Sequence, residues 1–423
     1  MSHIMRIWFS IVRRLCNHGA MPATAISSMR RWSMLAIGLL ATLCANVFIN
    51  GVAFLIPTLH DERGLDLAAA GLMSSLPSLG MVVTLIAWGY VVDRVGERVV
   101  LTLGSALTAA AAFAAAAADT LLTTGVFLFL GGMAAASSNT ASGRLVVGWF
   151  DAERRGLVMG IRQTAQPLGV GVGALVIPRL AQAEGVSAAL LFPAIVCAAA
   201  AVLCAIAVVD PPRPARAEAD DTDLANPYRG SPMLWRIHLT SVLLVVPQVM
   251  VWTFTLVWLI SEHRWSPESA GLLVMTAQIL GAAGRIGAGR WSDTFVRRSG
   301  DVIASRLRPI RMIAAAAAAA MALLAVTDWL DSPVSIVVMI AASVITVSDN
   351  GLAFTLIAEY AGPFWSGRAL GTQNTSQLFA QGVAPPLFGG LIAIAGYPVA
   401  FAVCALFPLL AIPSVPLTVK PDR

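Results

Sequence analysis

Charge is scarce in this 423-residue chain: Asp, Glu, Lys and Arg together make up 12% of it, and Lys420 is the only lysine. A soluble globular domain carries about 25% charged residues, so a fully water-exposed surface is excluded. Cysteine is sparse too. Cys16, Cys44, Cys197, Cys204 and Cys404 show no C-x-x-C spacing, which leaves them as small apolar side chains in or near hydrophobic segments. The histidines, His3, His18, His60, His238 and His263, form no H-E-x-x-H, and no G-x-S-x-G occurs. With one lysine at the far C-terminus there is no phosphate loop G-x-x-x-x-G-K-[ST] to use ATP. These absences argue against an enzyme and imply no cofactor and no metal.

What is abundant is long apolar sequence. Hydrophobic residues make up 57% of the chain and the mean hydropathy is +0.77. A helix needs about 20 apolar residues to cross roughly 30 Å of hydrocarbon. Such stretches recur at 33–57, 68–92, 99–118, 121–149, 156–179, 186–209, 233–260, 268–290, 309–327, 333–358, 367–394 and 397–418. The expectation is an all-α membrane protein of 12 transmembrane helices. Long unbroken runs, without short alternating strands, exclude a β-barrel.

The formal net charge of +5 raises a nucleic-acid partner, but the arginines sort by loop instead. Arg94 and Arg98, Arg154 and Arg155, Arg213, Arg216 and Arg229, and Arg290, Arg297, Arg298, Arg306, Arg308 and Arg311 fall on one side. The other side has Arg63, Arg179 and Arg264. This asymmetry predicts a multi-pass protein of the inner (plasma) membrane with both termini cytoplasmic, a lipid partner and no nucleic acid. Residues 1–32 do not fit a cleavable signal, because the apolar run at Ile7–Val12 is short and its flanks are basic. Two readings stay open: a basic amphipathic helix on the anionic leaflet, or a true start at Met21 or Met29.

The chain reads as two copies of one unit. Residues 61–93 align on 261–293 without gaps, pairing Glu62 with Glu262, Gly89 with Gly289 and Asp93 with Asp293. Residues 137–178 align on 348–389, pairing Asn139 with Asn350, Gly156 with Gly367, Gly160 with Gly371 and Gln166 with Gln377. Matched Asp, Asn, Gln and Gly at constant offset are beyond what alanine-rich low complexity produces. The organisation expected is an N-terminal segment (1–32), a six-helix bundle (33–209), a Pro- and Asp-rich linker (210–232), a second bundle (233–418) and a short tail (419–423).

The loop after the second span reads Gly89-Tyr-Val-Val-Asp93-Arg94-Val-Gly96-Glu97-Arg98-Val-Val-Leu101. It resembles the signature G-x-L-a-D-r-x-G-r-k-x-x-L of the major facilitator superfamily, and a weaker copy, Gly289-Arg-Trp-Ser-Asp293, follows the eighth span. The resemblance covers the chain from residue 33. It implies two pseudo-symmetric six-helix bundles and a conformational latch built from Gly89, Asp93, Arg94, Gly96, Arg98, Gly289 and Asp293. In the family Asp93 would face the start of helix eleven, here near Gly367. Glu97 departs from the pattern, which usually has a basic residue there. A second family signature, on helix five of many exporters, is met only in part by Gly160, Gly169 and Gly173, and close packing at small residues is the simpler explanation of these.

Ionisable residues inside spans are costly and mark function or buried pairing. Arg162, Arg285 and Asp349 each lie roughly 6 to 9 Å to the cytoplasmic side of a helix centre. Their repeat counterparts, Gln373, Leu85 and Ser138, are uncharged, so the scaffold alone does not require them. Arg144 and Glu359 lie nearer the interface, where an arginine can snorkel. Amides fall in spans one (Asn46, Asn50), four (Asn139), five (Gln163, Gln166), seven (Gln248), eight (Gln278), ten (Asn350) and eleven (Gln373, Asn374, Gln377, Gln381). Spans three, six, nine and twelve have none and no interior charge, which suits lipid-facing helices. Trp252, Phe254 and Trp258 can contact substrate, but core packing is the default for Trp252 and Phe254, and a place in the interfacial belt for Trp258.

These residues give the functional expectation. Arg285 and Arg162, with Asn46, Asn50, Asn139, Gln163, Gln166, Gln248, Gln278, Asn350, Asn374 and Gln377, are candidate substrate contacts, and Asp349 is the proton-coupling candidate. Asp349 can instead pair with one arginine as a structural tie. Arg285 stands where carboxylate-transporting members of the resembled family place a substrate-binding arginine. Segments around Arg162 and Gln373 resemble cyanate-permease-like and organic-acid members. The resemblance implies a monomeric secondary transporter, a symporter or antiporter, of a small organic or inorganic anion. Drug or metabolite efflux is the alternative within transport, and a transporter-like sensor the alternative outside it.

Overall fold

The computed structural model describes residues 27–55, 67–212 and 219–416, and all the regular structure among them is helical. The expectations for residues 1–26, for Cys16, His3, His18 and His60, for Glu62 and Arg63, for Arg213, Arg216 and Pro214, and for the tail with Lys420 lie outside these residues.

The first half opens with α1 (Ser28–Gly51), capped by the Ser27 side chain accepting from the Arg30 N–H and extended by a 3₁₀ turn, Val52–Leu55. Then come α2 (Leu67–Val95), α3 (Glu97–Ala116) and α4 (Leu121–Trp149), the last entered through a Thr120–Thr123 capping box. Helix α5 has two pieces, Ala152–Arg162 and 165–184, and α6 is 186–207. Two short turns, Asp221–Leu224 and Pro227–Gly230, lie in the linker. The second half has α7 (Met233–Ser261), α8 (Pro267–Ser299), α9 (Val302–Trp329), α10 (Val334–Ile345 and Asn350–Ala361), α11 (366–395) and α12 (397–414).

By length and apolarity alone, ten helices among the described residues can cross a membrane, two of them 56 and 49 residues long. Each of those two is a hairpin. Gly185 (φ 83°, ψ 175°) and Gly396 (φ 79°, ψ 172°) are non-helical inside them. Gly169 packs on Asn46 and Leu43, and the Cys197 thiol meets the Cys44 carbonyl at 3.5 Å. In a straight helix those two points would be about 42 Å apart, yet they touch adjacent turns of α1. Likewise Gln373 bonds His238 while the Ser414 carbonyl accepts from Arg236, two residues away on α7. The described residues therefore form twelve spans.

Six helices pack in each half, and the halves meet where α2 crosses α11 and α5 crosses α8. One apolar core runs through both halves at the arginine-rich end. It joins Leu101, Val158 and Met159 to Leu234, Leu307, Ile357 and Leu370. At the opposite end the second half keeps a separate core around Met250, Trp258, Met321, Met339 and Phe401. The halves are thus fused at one end of the molecule. Large apolar side chains stay exposed on α3 (Leu107, Phe113), α6 (Val202, Ile206), α9 (Leu323) and α12 (Leu406, Leu410), where hydrocarbon covers them at no cost.

Two helix ends correct the sequence reading. Helix α8 runs to Ser299 and not 290, so Asp293 sits inside a helix. Helix α9 spans Val302–Trp329 and not 309–327, so it carries Arg306 and Asp328 near its ends, both buried.

Candidate functional site

At the arginine-rich end, Asp93 on the last turn of α2 meets the first turn of α11. Its Oδ1 accepts from the Gly367 N–H at 2.8 Å and its Oδ2 from the Arg368 N–H at 3.1 Å. These are free N–H groups of a helix start, where the dipole favours an anion. Arg144 of α4 donates to Asp93 at 2.6 Å and to the Pro363 carbonyl at 2.8 Å, and Arg368 closes on Asp93 at 3.0 Å. Gly89 lies directly on the Gly367 backbone.

The second half repeats the device with the roles of the two halves exchanged. Asp293 on α8 accepts from the Gly156 and Leu157 N–H groups of α5 at 3.0 and 2.8 Å. Arg306 of α9 donates to Asp293 at 2.6 Å and to the Ala152 carbonyl at 2.5 Å. Gly289 lies on the Gly156 backbone. Below each contact a second glycine makes the crossing tight. A Cβ on Gly160 would stand 2.6 Å from the Arg285 carbonyl oxygen, and one on Gly371 would stand 2.6 Å from that of Leu85. Small residues four apart let two helices meet backbone to backbone.

The supporting ion pairs have opposite polarity in the two halves. In the first, Glu97 of α3 pairs with Arg144 of α4 at 3.3 Å. In the second, Arg306 of α9 pairs with Glu359 of α10 at 3.2 Å, and Arg155 reaches Glu359 at 3.5 Å. Glu97, the departure from the family pattern, is fully buried against Arg144. Arg144 does not snorkel: only 5% of its side chain is exposed. Arg98 is turned away from Asp93. It donates to the Ala205 carbonyl at 3.0 and 2.5 Å, and its N–H bonds Asp210 at 2.7 Å, which ties α3 to the end of α6. Arg94 lies exposed over the Tyr90 ring at 4.4 Å. Gly96 makes the α2–α3 turn at φ 105°, with the Asp210 carboxylate where a Cβ would be.

The mid-span charges separate into two environments. Arg162 ends the first piece of α5 and is held by neutral groups: Ser142 Oγ at 2.9 Å, the Asn139 carbonyl at 2.5 Å and Gln163 Oε1 at 3.3 Å. Ser142 in turn accepts from Thr42, so α1, α4 and α5 share one polar network. Arg285 of α8 donates through Nη1 to the Gln163 carbonyl at 3.0 Å, across the boundary between halves, while its buried Nε has no partner. Asp349 sits at the break in α10, buried and within the electrostatic field of Arg285. Among the described residues neither arginine pairs with it within 4.0 Å.

The amides divide the same way. Asn46 and Asn50 donate to α1 carbonyls, Asn139 to the Met81 sulfur and Asn374 to the Leu370 carbonyl. Asn350 donates to Gln248 at 3.0 Å, leaving its Oδ1 unpartnered, as is Gln377 Nε2. Gln166 and Gln278 are half-buried. Sequence reasoning missed a further chain: Tyr228 of the linker bonds His238 of α7 at 2.9 Å, which bonds Gln373 of α11 at 2.7 Å. A histidine in the second turn of an apolar span was its only signal. Trp258 is not a belt residue. It is fully buried, and its N–H bonds Asp328 at 2.9 Å. Gly169 and Gly173 are packing sites against α1 and Phe54.

Known proteins agree with this architecture. A family profile, Major Facilitator Superfamily, matches residues 38–385. The "Uncharacterized MFS-type transporter" of Mycobacterium tuberculosis is 57% identical over 391 residues, spanning 92% of this chain and 86% of that protein. Among solved structures, the proton:xylose symporter XylE aligns with a TM-score of 0.70 at 16% identity, over 92% of this chain and 95% of its own. The human organic anion transporter MFSD10 aligns at 0.64 and 17% identity, over 92% and 99%. Identities this low carry the fold alone. The profile and the close relative carry more: this chain belongs to the major facilitator superfamily, and it is a multi-pass membrane transporter of small molecules and not an enzyme.

Proposed function

We infer that the protein is a secondary transporter of a small organic or inorganic anion, working by alternating access and coupled to protons or to a counter-anion. The observation that carries this reading is the charge balance at mid-span. Two buried guanidiniums, Arg162 and Arg285, stand against one buried carboxylate, Asp349, and Arg162 is held only by neutral groups. An uncompensated charge in hydrocarbon is costly, and an anionic substrate supplies what is missing. Arg285 is the residue to receive it, because its Nε–H is unpartnered and a guanidinium clamps a carboxylate with two N–H groups. Asp349, in the field of Arg285, is the group to take up a proton when the substrate competes for that arginine.

In this reading Asp93 and Asp293 are the two latches that hold the arginine-rich end shut, and that end is the cytoplasmic one. The core shared by the halves at that end and the separate core at the other support an outward-facing state of two rocking bundles, 33–209 and 233–418. The membrane is the inner one, and the unit is a monomer.

The test is thermal stability of the purified protein against small carboxylates, phosphate and cationic drugs, in wild type and in Arg285→Ala. An anion that raises Tm in the wild type and not in the variant is the expected result. Stabilisation by cationic drugs alone, equal in both proteins, sinks the anion reading and favours efflux. Transport by Asp349→Asn with unaltered pH dependence removes Asp349 from the proton path.

A further inference from the structure

Helix α5 is broken after Arg162, and the sequence shows why one of its carbonyls has no helical partner. The carbonyl of Gln163 would accept from the N–H four residues later, and residue 167 is proline, which has none. The neighbouring bonds are made: Gln163 N–H to Met159, Thr164 N–H to Ile161 and Leu168 N–H to Thr164. The orphan carbonyl is met from the other half of the molecule, by Arg285 Nη1 at 3.0 Å. The pseudo-symmetric crossing has nothing equivalent. There Leu85 replaces Arg285, Asn374 replaces Gln163 and Leu378 replaces Pro167, and α11 runs unbroken through these positions.

We propose that Pro167, the Gln163 carbonyl and Arg285 form a substrate-displaceable tie between the halves, so that the guanidinium that receives substrate is also the one that holds α5 to α8. Pro167 is a positioning residue: it acts by keeping a backbone acceptor vacant for Arg285. An anion that draws the guanidinium away strips α5 of the donor that its own helix cannot supply. Ligand binding and release of the arginine-rich end then become one linked equilibrium. Only the α5–α8 crossing is built this way, so opening is sensed at one crossing and merely permitted at the other. The link to transport rests on the anion reading of Arg285; the tie itself does not.

The experiment needs no ligand. Nitroxide labels on Arg154→Cys and Arg298→Cys, both exposed at the ends of α5 and α8, report the separation of the two helices by pulsed electron resonance. The four described cysteines are buried, and Cys16 is replaced by Ser. The measurement is made on the full chain in an Asp293→Asn background, which weakens the neighbouring contact enough to populate both states. Pro167→Ala restores an N–H to the helix. It should lower the closed-to-open ratio about tenfold, as loss of a bond to a charged donor does. Arg285→Gln should lower it by a similar factor, and the double variant should be no more open than either single one. A closed population unmoved by Pro167→Ala, or losses that simply add, overturns the proposal. Failure of the anion reading shows separately, as absent anion stabilisation with this non-additivity intact.

Discussion

Asp93 and Asp293 stand 200 positions apart, and each spends both carboxylate oxygens on two successive backbone N–H groups of a helix in the other half. Each also sits in a cluster of two arginines and two acids: Arg144 and Arg368 with Asp93 and Glu97, Arg306 and Arg155 with Asp293 and Glu359. Both clusters balance to zero. Neutralising one acid leaves a buried positive excess, whose cost is about 3–5 kcal/mol. Asp93→Asn and Asp293→Asn are therefore expected to lower Tm by similar amounts, read by thermal denaturation in detergent. A neutral effect of either would show that its cluster is solvated.

The reversed polarity of the supporting pairs gives a sharper test. Arg306 on α9 reaches Asp293, whereas Arg144 on α4 reaches Asp93. The swap Glu97→Arg with Arg144→Glu copies the second half's arrangement into the first. Each single variant should abolish stable expression, and the double variant should recover much of it. Size-exclusion profiles of the three proteins check this.

The glycine crossings predict a steric outcome. A Cβ on Gly371 has no room beside the Leu85 carbonyl. Gly371→Val should hold the arginine-rich end open, and Ser366→Cys, buried in the closed state, should then react with maleimide at least ten times faster.

The two mid-span arginines should differ in what their loss costs. Arg162 binds three groups of its own half, so Arg162→Met should lower stability by about 1–3 kcal/mol. Arg285→Met should cost less stability and remove any anion-induced rise in Tm. Paired melting curves with and without a stabilising anion separate the two.

Trp258→Phe keeps the ring and removes the N–H that Asp328 accepts. The variant should lose about 1–3 kcal/mol, read as a lower Tm. A carboxylate with other donors would show no change.

The fold was legible because a membrane demands long apolar runs and because duplication left matched Asp, Asn and Gly at fixed offsets. The pairing of Gly156 with Gly367, the two glycines whose N–H groups the latch aspartates bond, follows from those offsets. Partner choice among charges near helix ends was not legible. Glu97 and Arg144 are 47 positions apart, and no local pattern says that they are buried against each other. The ends of α9 were missed for a related reason: Arg306 and Asp328 lower local hydropathy, so an apolar-run criterion trims the helix just where it is held by ion pairs and an indole. The mid-span arginines were found by their cost in lipid, yet only geometry separates Arg162, saturated by neutral acceptors, from Arg285, which crosses to the other half.

Gly185 and Gly396 join α5 to α6 and α11 to α12 through single residues. Such a hairpin has no slack: any change in tilt of the inner helix is passed to its lipid-facing partner at one pair of dihedrals. Work done at the centre of the molecule is therefore felt at its perimeter. For bundles that rock as proposed, the thickness and lateral pressure of the surrounding leaflets would enter the free-energy difference between the two states.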